Sequence, residues 1–451
     1  MTSLDPSNPA LDPSVRRGYA LGSVATGTFG TVPGLLLLPY LTDSLGIGAV
    51  VAGFIVFVPK AWDVILNPIA GRISDRSSSP SGRRRPFLLK GGLLLAVCFA
   101  LLFAGPTGPP ALAGAYVVLL FLACATAYAF FQVPYVAMPA EITLDYAERT
   151  KLMTWRVIVL ALAILLSGAT APLIVNAFGG DPTTKGYRLM GVYIAVILVI
   201  GVLGAWRGTR NAPEHDVEPA IGTLREQLRL VASTPDFRML LTAFVLQAAG
   251  IGAMLAGVAY VADDLLDSSA ASTILFAAFV GPALLVTPLW ERYAGRRGKK
   301  SGYLIATAFL IVGAVALVRA EANQTAIVYA AAALVGIGYA GAQVFPMAML
   351  PDVAAHDAMT SGENRIGVFT GVWTAGETLG LALGPGIFAL VLAIGGYVSS
   401  TDHTALQPDS ARTAIAIGFS FVPAALIALS LVFLRRYSLD ATLNGAPDVR
   451  S

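Results

Sequence analysis

Twelve times along its length the chain runs for about 20 residues on little but apolar and small side chains. About 20 residues of α-helix span the hydrocarbon core of a bilayer, a solvent in which every backbone N–H and C=O must find its partner inside the segment itself. The runs lie near 19–41, 48–71, 86–105, 111–139, 155–177, 187–206, 238–262, 270–290, 302–319, 325–350, 367–396 and 411–434. They dictate an all-α membrane protein of twelve transmembrane helices. Charged residues make up 13% of the chain and hydrophobic ones 56%, where a soluble domain carries about 25% charge. That composition sets aside a disordered chain, a nucleic-acid binder and a two-domain soluble enzyme. The first apolar run lacks the short apolar core and small-residue cleavage site of a signal peptide, so it reads as a retained span behind a polar tail.

Lysine and arginine set the topology, because short cytoplasmic loops retain positive charge. The loop after span two holds Arg72, Arg76, Arg83, Arg84 and Arg85, and the loop after span eight holds Arg292, Arg296, Arg297, Lys299 and Lys300. The opposite side collects Lys185, Arg188, Arg319 and Arg412. Both termini are thus expected in the cytoplasm, in a multi-pass protein of the cytoplasmic (inner) membrane. The longest polar stretch divides the spans six and six. The expected organisation is an N-terminal tail at 1–18, a six-helix bundle at 19–206, a linker at 207–237, a second six-helix bundle at 238–435 and a C-terminal tail at 436–451. Within the linker Leu224, Leu228 and Val231 recur at helical spacing beside Arg225 and Arg229, which suits a short helix on the membrane surface.

The halves also echo each other, as the repeats of transporter folds do. Pro68 and Arg72 recur as Pro288 and Arg292, 220 residues on, and Pro134 and Pro139 recur as Pro346 and Pro351, 212 residues on.

A charge at the bilayer centre costs about 2.5–3.5 kcal/mol on insertion scales, so each one needs a partner or a water-filled cavity. Span two carries Lys60 and Asp63 on one helix face, with Asn67 one turn on. They form either an ion pair that locks packing or a carboxylate that binds a proton or cation. Span eleven carries Glu377 near Trp373 and Thr374, with no cation in the same span. Gln132 in span four and Gln247 in span seven are amides that either bond neighbouring helices or meet a substrate. Cys98 and Cys124 read as buried small hydrophobes. Gly336, Gly338 and Gly341 imitate a dinucleotide fingerprint inside a span, where close helix packing is expected instead. Gly295 to Ser301 imitates a phosphate loop with the wrong glycine spacing and reads as a basic loop. His215, His356 and His403 are all expected in loops, with no metal-ligand spacing, and no nucleophile constellation nominates an enzyme.

One segment is more specific than the rest. Lys60-Ala-Trp62-Asp63-Val-Ile-Leu-Asn67-Pro68, then Gly71-Arg72-Ile-Ser-Asp75 and Gly82-Arg-Arg-Arg-Pro86, resembles span two and its loop in the glycoside-pentoside-hexuronide:cation symporters of the major facilitator superfamily. Tyr40-Leu-Thr42-Asp43, Val133-Pro134-Tyr135, Glu148-Arg149, Leu350-Pro351-Asp352 and Ser361-Gly362-Glu363-Asn364-Arg365 fit the same family, so the likeness covers essentially the whole chain. It implies alternating access and a sugar-type solute carried with a cation. Carried over residue by residue, it places Asp63 on the family's first cation-site carboxylate, Lys60 on the basic residue before it and Asn67 where sodium-coupled members often have a second carboxylate. Gln132 falls on a sugar-binding span-four aspartate, Gly27 on a span-one aspartate of like role, Thr378 on a span-eleven lysine, and Arg156 close to a substrate-site arginine.

The expected function is cation-coupled symport of a sugar, glycoside or related small solute, with a proton favoured over sodium because only one carboxylate remains. Asp63, Asn67, Lys60 and Glu377 are the expected coupling residues. Gln132, Tyr135, Arg156, Gln247, Trp373 and Thr374 are the expected substrate contacts. Arg72, Asp75, Arg83, Arg84 and Arg292 are the expected cytoplasmic gate. No cofactor beyond the coupling ion (H+ or Na+), no metal, no nucleic acid and no oligomeric partner is expected. The alternative is a lysolipid or hydrophobic-metabolite carrier, importer or exporter.

Overall fold

The structure, a computed structural model, describes residues 11–77, 82–143, 146–178, 184–213, 233–268, 270–320, 324–361, 366–401 and 406–439. The expected linker helix at Leu224 to Val231 and the histidines at 215 and 403 lie outside the described residues. Twelve helical spans among the described residues are long and apolar enough to cross a membrane. In order they are α1 (Pro13–Pro39), α2 (Ala49–Asp75), α3 (Arg85–Leu102), α4 (Pro110–Ile142), α5 (Tyr146–Phe178), α6 (Thr184–Gly208), α7 (Pro235–Tyr260), α8 (Ala271–Arg297), α9 (Lys299–Ala316), α10 (Thr325–Ser361), α11 (Ile366–Ile394), and α12 (Asp409–Phe419) with α13 (Phe421–Arg436), which together make the last span. The described secondary structure is entirely helical, and apolar side chains such as Phe54, Leu119, Ile200 and Leu285 stand exposed on it. Exposed apolar surface on this scale is stable only against lipid.

Helix starts follow local chemistry. Asp12 caps α1 by accepting from the Ser14 N–H at 2.8 Å, with proline at the first turn, and that bond holds its carboxyl below the usual carboxylate range.

Two departures from the sequence expectation have clear causes. The tenth span continues to Ser361, beyond the apolar run ending near 350, because Asp352 to Ser361 contains no glycine or proline to stop it. His356 therefore sits on a helix and not in a loop. The twelfth span, expected to be continuous, breaks at Ser420. Pro423 has no N–H to give to the turn before it, and the Ser420 hydroxyl bonds back to the Ala416 carbonyl at 2.6 Å.

The chain divides into two compact units. One comprises 1–47, 58–219 and 400–403; the other comprises 48–57, 220–399 and 404–451. In the first, α1 packs along α5 and α6, and α3 along α4 and α6. In the second, α7 packs along α11 and α13, and α9 along α10 and α13. The same pairing thus recurs six spans later.

The repeat extends to irregular backbone. After α1, Tyr40–Ser44 forms a π-helical turn in which the Leu45 N–H reaches back five residues to the Tyr40 carbonyl at 3.1 Å. After α7, Val261–Leu265 does the same, with the Leu266 N–H on the Val261 carbonyl at 2.9 Å. The glycine triplet of α10 is a packing device, as its place inside a span predicts. A side chain at Gly336 would strike the Phe279 carbonyl of α8, one at Gly338 would lie 2.6 Å from the Leu310 N of α9, and one at Gly341 would overlap Ala306. The basic loop between α8 and α9 shrinks to Gly298, whose φ of 86° lets the chain reverse within one residue.

Candidate functional site

In the first unit the polar side chains of α1 and α4 meet in a strip built by helical spacing. Tyr19, Ser23 and Thr26 recur at i, i+4 and i+7 on α1, and Tyr128, Gln132 and Tyr135 recur at the same spacing on α4. The Thr26 hydroxyl donates to Gln132 Oε1 at 2.6 Å. Because the amide oxygen is held this way, the Nε2 hydrogens of Gln132 are presented as donors, and among the described residues no protein group accepts them. The Tyr135 hydroxyl donates to the Tyr19 carbonyl at 2.9 Å and shares a 2.9 Å bond with Ser23 Oγ. Tyr19 returns a bond to the Tyr135 carbonyl at 3.2 Å, and the two rings stack with centroids 4.6 Å apart. Tyr135 is thus fully buried and committed to the helix contact. What it offers is its ring face, over which the Arg156 guanidinium of α5 lies at 5.7 Å, with a buried Nε that has no hydrogen-bond partner. Gly27 lies where α1 meets α5, with the Leu160 carbonyl 3.0 Å from where a Cβ would stand.

Span two supplies the charges. Asp63 is 5% exposed, and its Oδ1 is buried without a hydrogen-bond partner. Lys60 lies on the same face but does not close a pair with it. Its ammonium sits 5.5 Å above the ring of Phe29, which itself packs 4.6 Å from Tyr128. The two charges feel each other electrostatically without a direct bond. Asn67 follows one turn on, half-buried. Among the described residues no group of three or more His, Cys, Asp or Glu comes together to hold a metal ion.

The second unit places its polar residues differently. Gln247 is 1% exposed, and its amide nitrogen lies 3.0 Å from both Thr307 Oγ1 of α9 and Ser430 Oγ of α13. Those two bonds clamp three helices and occupy the amide's donors. Trp373 is buried against Phe244, with ring centroids 4.3 Å apart, and its indole N–H has no partner. Thr374 is exposed and bonds back to the Thr370 carbonyl, and Thr378 bonds back to the Thr374 carbonyl. Glu377 is half-buried within electrostatic reach of Tyr339, whose hydroxyl accepts from Gln343 at 2.9 Å.

Each unit carries an ion pair between the start of the helix after its basic loop and the far end of the next helix. In the first, Arg84 holds Glu141 through two 2.8 Å contacts and donates to Ser74 Oγ at 2.7 Å, while Arg83 stands 4.0 Å from the same carboxylate. In the second, Lys299 holds Asp352 at 2.6 Å and donates to the Ala348 carbonyl at 3.0 Å. Arg72 and Arg292 lie toward the surface, and the Asp75 side chain lies outside the described residues. Sequence reasoning named the basic members of the first pair as gate residues but missed Glu141, and it placed Lys299 only in a basic loop and Asp352 only in a family motif. It also missed Tyr19, Ser23 and Thr26, although hydroxyls at i, i+4 and i+7 of an apolar span were the signal that would have found them.

A sequence profile for the family described as MFS/sugar transport protein matches residues 18–441. The provisionally named glycoside/cation symporter YagG of Escherichia coli is 27% identical, covering 94% of this chain and 91% of its own. The glucuronide carrier protein homologue of Escherichia coli is 23% identical over 94% of this chain and 92% of its own, and the human sodium-dependent lysophosphatidylcholine symporter 1 is 25% identical over 94% and 85%. Among solved structures, a D-xylose-proton symporter shares the fold with a TM-score of 0.69 at 16% identity, covering 94% of this chain and 97% of that one. With twelve spans, a repeated bundle and a profile match from end to end, the chain belongs to the MFS/sugar transport protein family, in its glycoside-pentoside-hexuronide:cation symporter branch, as a multi-pass membrane transporter and not an enzyme.

Proposed function

We propose that the protein imports a sugar or glycoside together with a proton, and that Asp63 carries the proton. The observation that carries this reading is a lone carboxylate, 5% exposed and without a bond on Oδ1, on a helix whose neighbouring cation has turned away to an aromatic ring. A buried charge with no direct partner is costly, and protonation removes that cost. Loading and unloading the proton therefore changes the relative free energy of the arrangements of α2, which is the condition for coupling a cation to alternating access. A sodium ion takes several oxygen ligands, whereas among the described residues no group of three or more His, Cys, Asp or Glu gathers at Asp63, and on its own helix the next polar side chain is the amide Asn67. The residues therefore favour a proton over sodium.

The substrate contacts follow from the same geometry. Gln132 offers two amide hydrogens, fixed in direction by Thr26, and Arg156 offers guanidinium donors from its place over the ring of Tyr135. Donors of this kind suit the hydroxyl oxygens of a sugar. Tyr135 is a positioning residue for Arg156, and Gln247 a helix clamp of the second unit. In that unit Trp373, whose indole N–H is unbonded, and Thr374 are the candidate contacts. Arg84 with Glu141 and Lys299 with Asp352 are the ion pairs of the gate on the basic side. The distribution of arginine and lysine puts that side, and both termini, in the cytoplasm.

The experiment is uptake of labelled glycosides into proteoliposomes under an imposed pH gradient, a sodium gradient or neither, with Asp63→Asn beside the native protein. Accumulation that follows the pH gradient and vanishes in Asp63→Asn is the expected result. Accumulation driven by sodium alone overturns the proton. Uptake of lysophosphatidylcholine with none of any sugar replaces the substrate class by the one named for the human relative.

A further inference from the structure

At its basic end, apart from the proposed sugar contacts at Gln132 and Arg156, the first unit contains a cavity of about 200 Å³. It is lined by Arg84 and Arg85 at the start of α3, Met138 and Glu141 at the end of α4, and Thr209 and Arg210 just past α6. Among the described lining residues three arginines accompany one carboxylate, so this part of the lining is net positive. That carboxylate is already engaged, because Glu141 Oε1 takes both the Nε and the Nη2 of Arg84 at 2.8 Å. The start of α3 adds to the positive field, since Arg84 at the cap position makes no capping bond and Pro86 follows, so the positive helix end also points to this place.

The surroundings choose among anions. Arg85 donates to the Trp206 carbonyl at 3.0 Å and lies 5.8 Å over its indole, so a tryptophan marks the rim at the depth where such rings collect at membrane interfaces. From that rim α6 presents Val192, Val196 and Ile200 exposed at i, i+4 and i+8, and Arg207 stands exposed at its basic end. On α3, Leu94, Val97 and Leu101 are exposed in the same way, with Lys90 at the basic end. Apolar stripes that run up to a cationic pocket have the dimensions and polarity of acyl chains below a headgroup. The volume is less than the ~300–1,000 Å³ of drug-sized ligand sites and suits a phosphate with part of its glycerol.

We infer that this cavity binds the phosphate of an anionic phospholipid, with Arg85 and Arg210 on the phosphate and the acyl chains along α3 and α6. The ligand joins the start of α3 to the end of α6 beside the Arg84 and Glu141 pair, so the lipid composition of the membrane tunes how firmly that end of the unit holds together. The inference rests on the membrane reading of the chain but not on its substrate.

The test uses the purified full-length protein, delipidated, with phosphatidylglycerol, phosphatidylcholine or inorganic phosphate added, reading retained lipid by native mass spectrometry and the thermal unfolding midpoint. Phosphatidylglycerol is expected to be retained and to raise the midpoint where phosphatidylcholine does not. Arg85→Gln and Arg210→Gln should each lower retention by about fivefold, the factor set by one basic residue near an anionic surface. Arg210 is exposed, so Arg210→Gln folds even if the Arg85 variant does not. Equal retention of both lipids, or undiminished phosphatidylglycerol retention in Arg210→Gln, overturns the site. A shift reproduced by inorganic phosphate that also displaces the lipid leaves a free-anion site and overturns the lipid. Each of these outcomes is read without any transport assay, so a wrong sugar assignment leaves them unchanged.

Discussion

Glu141 and Asp352 hold matching places in the two units, 211 residues apart, and their cations Arg84 and Lys299 are 215 apart. Yet the first pair is sealed, with side chains 9% and 8% exposed, and the second is open, at 33% and 26%. The first uses a planar guanidinium that also reaches Ser74, and the second a single ammonium. The span interiors differ in the opposite sense. The first unit leaves the ionisable side chains Asp63 and Arg156 with unbonded polar atoms in the membrane region, whereas in the second, among the described residues, the buried unbonded atoms belong to neutral side chains such as Trp373 and Tyr303, and the buried amide Gln247 commits its donors to its own helices. One architecture has thus been used twice, with the reactive polarity concentrated in the first copy and structural polarity in the second. The repeat keeps where helices cross, and the chemistry sits where its copies diverge.

The sharpest way to break this contrast is at Asp63. Asp63→Asn keeps the shape and removes the titratable charge, so gradient-driven accumulation should vanish while equilibrium exchange of labelled substrate persists. Exchange lost together with accumulation, in folded protein, would make Asp63 a structural residue.

The paired latches come next. Glu141→Gln leaves Arg84 buried beside a neutral partner, and breaking one side of a buried pair costs about 3–5 kcal/mol. Asp352→Asn removes a pair screened by solvent, where the cost is about 1 kcal/mol or less. Thermal unfolding of the two variants side by side should therefore show a large drop for the first and a small one for the second. Equal drops would mean that exposure does not separate the copies.

How far the sequence carried the structure depends on the kind of force at work. Twelve spans and the packing role of Gly336, Gly338 and Gly341 were legible because burial in lipid and steric contact act on residue type and local spacing. The break at Ser420 was hidden inside an apolar run, since hydropathy does not register a missing proline N–H. The tenth helix outran its apolar stretch because helix formation in water needs no apolar residue, and this carried His356 out of the expected loop. For the site, Asp63 and Gln132 announced themselves as polar residues in apolar spans, and Arg156 came from the family resemblance. The α1 groups that bond Gln132 and Tyr135 did not, because Thr26, Ser23 and Tyr19 lie 106 to 116 residues from their α4 partners, a distance that no periodicity bridges.

The two glutamines sharpen the comparison at its smallest scale. Both are amides in apolar spans, both bond hydroxyls, and the sequence offers no reason to separate them. The structure does, because Gln132 accepts one bond and keeps its donors, while Gln247 gives its donors to Thr307 and Ser430. Gln132→Leu removes donors that a sugar hydroxyl would take, and one such bond contributes about 0.5–1.5 kcal/mol, so KM for uptake should rise by roughly twofold to thirteenfold with little change in unfolding. Gln247→Leu should do the reverse. Interhelical bonds in membrane proteins contribute about 0.6 kcal/mol on average, so the unfolding midpoint should fall slightly while KM stays where it was. If Gln247→Leu moves KM as much as Gln132→Leu, the clamp also meets substrate during the transport cycle, and the division between a reactive first unit and a structural second one gives way.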